Sequence, residues 1–182
     1  LISAGYGGFV VTNDEKSYEK LLTIRDHGIV RSPEEDYEQM GFNYKVSDLL
    51  ISVANGQLDR LPEKLAHLSI VYDRYKEGLK GIESVSLLPI DEDEGEIPLC
   101  IDIVTPRRAD LINYLKLRGV QCSKFHLPIH KASYLYNGEQ IGKFTNSIRF
   151  SVQGFMPPCG PSQSLSNVDY VIELIQEWSS DI

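Results

Sequence analysis

The spacing of hydrophobic positions changes twice along the chain. "GGFVVTND" sets three apolar residues, two of them β-branched, between paired glycines and the turn-forming Asn13 and Asp14, the pattern of a short buried strand. "DEKSYEKLLTIRDHG" follows with acids first, Leu21 and Ile24 at helical spacing, and Gly28 where a helix stops. A buried strand must satisfy its backbone by pairing with other strands, and the adjacent sequence offers no obvious partner.

Residues 29–46 carry charge and tyrosine without periodicity and end in "GFNYKVSD", where Ser47 is placed to cap a helix. The longest helical stripe then runs through Leu50, Val53, Ala54, Leu58 and Leu61, meets Pro62, and resumes through Leu65, Leu68, Val71, Tyr72 and Tyr75. Proline lacks the amide donor and crowds the preceding turn, so a kink is predicted there. From about Gly81 strands and helices alternate. "VSLLPI" and "IPLCIDIV" read as strands joined by the acidic turn "DEDEGE". Thr105 and Pro106 open a helix that Gly119 closes, "VQCSKF" and "SIRFSV" read as further strands, and Ser166 caps a last helix. That helix buries Val168, Val171, Ile172, Ile175 and Trp178 on one face. Three segments result: residues 1–46 as strand, helix and loop, 47–80 as a long connecting helix kinked near 62, and 81–182 as a small α/β domain.

Composition narrows the function. A net charge of −8 argues against binding nucleic acid, which draws on clustered Lys and Arg. No apolar run reaches the roughly 18 residues of a membrane span, so a cytoplasmic protein without membrane association is expected. Cys100, Cys122 and Cys159 are odd in number, widely spaced and without a CxxC, the pattern of reduced thiols and not of a zinc site.

Local motifs give no complete active site. Gly5, Gly7 and Gly8 precede a strand, whereas a phosphate loop lies between a strand and a helix. The five acids of "DEDEGE" lack calcium-loop spacing. His126 and His130 stand four apart, but Pro128 between them breaks the helix that would make them a ligand pair. No metal is expected. "KFHLPIH" reads instead as a strand exit into a proline-ordered loop of the kind that lines clefts.

Two long segments carry more. "SAGYGGFVVTND....LLTIRDHG" and "GFNYKVSDLLISVANGQLDRL" resemble, in order and distance, the DegT/StrS family of sugar aminotransferases, as does "RRADLINYLKLRGVQCSKFHLPIHKASYL". The resemblance covers most of the chain to about residue 135. It implies the C-terminal part of a type I, aspartate aminotransferase-like α/β fold: the end of the large domain plus the small domain. It also implies pyridoxal 5'-phosphate as cofactor, a homodimer, a nucleotide-linked keto sugar as substrate and an amino-acid donor.

In that family the lysine that holds the cofactor precedes the paired glycine by about eight residues, which places it just before Leu1 and leaves no catalytic residue in the chain itself. The isolated 182 residues are then expected to be inactive. A branch of the family has histidine at that place and dehydrates sugars, and the present sequence does not separate the two activities. Asn43 matches the asparagine that reaches across the dimer to the cofactor phosphate of the other subunit, and Lys45 stands where the family has Arg or Lys. Phe125 replaces the family Tyr and His130 matches its His, both as substrate-pocket walls, while Tyr6 stands where Glu is common. A rival reading is an α/β module with a binding or scaffold role and no catalysis.

Overall fold

The computed structural model describes residues 1–30, 36–37, 39–125, 127–135 and 143–180. The chain divides into two compact units, Leu1–Pro62 and Glu63–Ile182.

In the first unit, helix α1 (Glu15–Arg25) begins at Asp14, whose carboxylate accepts the Ser17 amide at 2.8 Å. Those hydrogen bonds favour the ionised form and hold the Asp14 carboxyl below its usual range. The helix ends with His27 in the left-handed region at φ 60°, followed by Gly28 at φ 81°. A short antiparallel ladder follows, β1 (Ile29–Val30) on β2 (Asp36–Tyr37). Helix α2 (Asp48–Asp59) starts at Ser47 as predicted, although the Ser47 hydroxyl makes no capping bond and its carbonyl accepts the Ile51 amide.

The strand expected in "GGFVVTND" is not formed. Among the described residues no strand pairs with it, and Phe9, Val10 and Val11 are 84%, 72% and 82% exposed. An apolar run without a ladder partner has no way to satisfy its backbone as a buried strand.

The predicted long helix breaks at Arg60, and α3 (Leu61–Gly78) starts afresh with Pro62 in its first turn, where an amide donor is not needed. The second unit holds a four-stranded antiparallel sheet of order β3-β4-β6-β5: β3 (Ser86–Leu87), β4 (Ile103–Val104), β5 (Ser123–Lys124) and β6 (Gly154–Met156). Ile103 lies opposite Phe155 and Lys124 opposite Phe155 on the other side, so β6 is a central strand. Helix α4 (Arg108–Leu117) ends in a Schellman motif. Gly119, at φ 79°, donates to Lys116 and Val120 donates to Leu115. Helix α6 (Leu165–Ser180) buries the whole predicted face from Val168 to Trp178. Together with Tyr75 of α3, Leu111 and Leu115 of α4, and Phe155, these residues form one core.

Three local predictions are corrected here. "SIRFSV" is not a strand but part of helix α5 (Thr145–Gln153). Ile148, Phe150 and Val152 alternate, yet Ile148 and Val152 also stand one helical turn apart, so the segment suits either period and the ladder begins only at Gly154. Thr105 does not cap α4: it is fully buried, its hydroxyl accepts the Arg107 amide at 3.2 Å, and its own amide extends the sheet toward Gln153. Ser164, not Ser166, caps α6, its hydroxyl accepting the Asn167 amide.

Candidate cofactor and substrate site

Asn43 sits in a segment laid across the end of α1. Phe42 donates to Ile24 at 2.8 Å and accepts from His27 at 3.0 Å, Tyr44 donates to Arg25 at 3.1 Å, and Asp26 stands opposite Asn43 in an isolated antiparallel bridge. Gly28 and Gly41 make this crossing possible. A Cβ on Gly41 would lie 1.9 Å from the Gly28 nitrogen, and one on Gly28 would lie 1.9 Å from the Gln39 carbonyl oxygen. Stacking of Phe42 on Tyr44, with ring centroids 5.0 Å apart, brackets the position. Asn43 itself is exposed, and its side chain makes no hydrogen bond among the described residues. An amide held outward with its donors free fits the oxygen of a phosphate group.

Lys45 lies two residues on, and its Nζ is 2.6 Å from Asp26 Oδ1. Among the described residues, the pair lines a cavity of about 610 Å³ together with Glu19, Thr23 and Arg25. Sequence reasoning missed Asp26, although it lies inside the "RDHG" motif; its contact partner stands 19 residues away.

Phe125 and His130 belong to the second unit. The Phe125 ring packs over Gly154, where a Cβ would come within 2.2 Å of it, and lies 4.5 Å from the Phe150 ring. With Pro128, Asn146 and Ser147 these rings line an open cavity of about 480 Å³. Arg108 braces the floor by donating to the Ser151 and Gly154 carbonyls. His130 is not among the lining residues of that cavity. It stacks on Phe144 with centroids 4.6 Å apart, and its buried Nε2 has no partner among the described residues. His126 lies outside the described residues. Among the described residues no three His, Cys, Asp or Glu side chains are grouped to hold a metal ion, and no helix is long and apolar enough to cross a membrane.

The thiols are set against reactivity. Burial pushes Cys122 up to about 11, and burial raises Cys159 and Cys100 as well. Since the thiolate is the nucleophile, alkylation of Cys122 in the folded protein at pH 8 will run about 10²-fold slower than in urea. The folded thiol holds its proton more tightly than the unfolded one. Its stabilising contribution is therefore complete below the ordinary thiol range and is lost as pH rises toward about 11. Pulse alkylation read by mass spectrometry checks the first, and alkaline unfolding curves the second.

Comparison with known proteins gives this geometry its context. The family model of DegT/DnrJ/EryC1/StrS aminotransferases matches residues 1–176. The chain is 25% identical over 183 residues to GDP-perosamine synthase of Escherichia coli O157:H7, covering 99% of this chain and 49% of that protein. It is 33% identical over 174 residues to UDP-4-amino-4,6-dideoxy-N-acetyl-beta-L-altrosamine transaminase of Campylobacter jejuni, covering 91% of this chain and 46% of that protein. The chain thus spans about half the length of the relatives it matches. Among solved structures, sugar aminotransferase CalS13 of Micromonospora echinospora superposes with a TM-score of 0.85 at 20% identity over 97% of this chain and 48% of that one. DesV of Streptomyces venezuelae gives 0.83 at 24% identity over 93% and 46%. The fold is that of the type I pyridoxal-phosphate transferases, and the chain belongs to the DegT/DnrJ/EryC1/StrS aminotransferase family.

Proposed function

We propose that the protein is a pyridoxal-phosphate-dependent aminotransferase that moves an amino group from an amino-acid donor to a keto sugar carried on a nucleotide, for polysaccharide or cell-surface sugar synthesis. The observation that carries this reading is the family match over residues 1–176, made by a chain that holds Asn43 outward with free donors. In this reading the 182 residues supply the C-terminal half of each subunit of a cytoplasmic homodimer: residues 1–46 the end of the large domain, 47–80 the connecting helical segment and 81–182 the small domain. The lysine that anchors the cofactor is assigned to the position before Leu1.

Bound pyridoxal phosphate would supply the electron sink for bond breaking at the carbon that bears the amino group. The chain's own residues bind and orient. Asn43 Nδ2 would donate to a phosphate oxygen of the cofactor held by the partner subunit. Phe125 offers an apolar wall over Gly154, while His130, stacked on Phe144 with its Nε2 buried, would back the pocket wall without touching the sugar.

The test is cofactor binding by the complete gene product. Its visible absorbance with pyridoxal phosphate should yield a borohydride-fixed adduct on the lysine before Leu1, and the 182 residues alone should yield none. Asn43→Ala should weaken binding roughly ten-fold, the size of one charge-assisted hydrogen bond, without moving the thermal midpoint. An unchanged affinity in Asn43→Ala would remove Asn43 from the cofactor site.

A further inference from the structure

Resemblance places Lys45 with Asn43 as a cofactor ligand, but the geometry points to a different task. We infer that Lys45 is a positioning residue that acts through Asp26, holding the Phe42–Lys45 segment on the end of α1 so that Asn43 faces the phosphate. This rests on the functional reading above. Three observations carry it.

First, the ammonium is already engaged: Lys45 Nζ lies 2.6 Å from Asp26 Oδ1, and the Asp26 side chain is only 17% exposed. Second, the pair is placed beside Asn43 by the backbone. Asp26 stands opposite Asn43 in the bridge, and Lys45 is two residues along the same extended segment, on the same side as Asn43. Third, the Asp26 carboxylate that holds Lys45 lines the same cavity, so a phosphate reaching the ammonium there would meet a carboxylate beside it. Lys45 therefore offers a dianion little unless it first leaves Asp26.

The two roles predict opposite signs for one substitution. If Lys45 is a ligand, Asp26→Asn frees its ammonium and tightens cofactor binding. If Lys45 positions, Asp26→Asn loosens the segment and weakens binding. In the complete gene product, titrated with pyridoxal phosphate by absorbance, we expect Asp26→Asn and Lys45→Met each to weaken binding about two- to five-fold, the size of a partly exposed ion pair. The exchanged pair, Asp26→Lys with Lys45→Asp, should return to within about two-fold of the parent, because it restores the attraction while removing the cation from position 45.

Hydrogen exchange gives a readout apart from affinity. The Phe42 and Tyr44 amides, which end on Ile24 and Arg25, should exchange faster in Lys45→Met and recover in the exchanged pair. Tighter or unchanged binding in Asp26→Asn, a loss above about ten-fold in Lys45→Met, or an exchanged pair no better than the single variants each overturns the inference. If the parent protein binds no pyridoxal phosphate, the functional reading falls and takes this one with it, whereas normal parent binding with a failed exchange strikes the inference alone.

Discussion

Expressed alone, residues 61–182 will unfold in one cooperative transition, while residues 1–60 will show none. Every buried hydrophobic side chain among the described residues lies at Leu68 or beyond. Tyr75, Leu111, Leu115, Phe155, Val168 and Ile175 are fully or almost fully shielded and belong to one cluster. Each such side chain contributes roughly 1.5–3 kcal/mol of burial, a contribution concentrated in one connected cluster. Among the described residues before 61, only Gly28 is buried, and neither α1 nor α2 has a buried residue. A segment that leaves Phe9, Val10, Val11 and Leu49 exposed gains too little from burial to offset roughly 1–2 kcal/mol per residue of backbone entropy. Thermal melting followed by near-ultraviolet circular dichroism checks this on each piece. A dispersed, cooperative signal from residues 1–60 would contradict it.

The same contrast explains what could be read from the sequence. Helix α6 was legible because its hydrophobic positions repeat at the helical period over 16 residues and meet a core on that face alone. The break before Pro62 was legible because proline's restriction is local. The apolar run at Phe9–Val11 was misleading because strand formation depends on a partner elsewhere, and α5 because nine residues are too few to separate two periods. At the candidate site, Asn43, Lys45, Phe125 and His130 entered through resemblance, since nothing in their spacing encodes a ligand. The Asp26–Lys45 pair and the Phe125–Gly154 contact are long-range in sequence and emerge only once the chain is folded. The structure places Asn43 and Lys45 in one unit and Phe125 and His130 in the other.

A residue that would touch no ligand, Gly41, is expected to matter as much to cofactor binding as Asn43 does. An alanine there would place its Cβ 1.9 Å from the Gly28 nitrogen, 2.4 Å from the His27 carbonyl carbon and 2.6 Å from the Gly28 Cα. All three are backbone atoms, so no side chain can rotate away. Gly28 cannot yield freely, since it already occupies φ 81° and its amide donates to Thr23 at 2.8 Å. Relief must come from moving the Phe42–Lys45 segment by about 1 Å, enough to lengthen a hydrogen bond made by Asn43 beyond its working range. We expect Gly41→Ala to weaken pyridoxal phosphate binding about as much as Asn43→Ala does, roughly ten-fold, because it displaces Asn43. Gly56→Ala is the control. It lies inside α2 with nothing within 4 Å of its would-be Cβ, so it should stabilise the helix by about 0.5–1 kcal/mol and leave affinity unchanged. Equal affinities for Gly41→Ala and Gly56→Ala would show that the crossing of Gly28 and Gly41 does not set the position of Asn43.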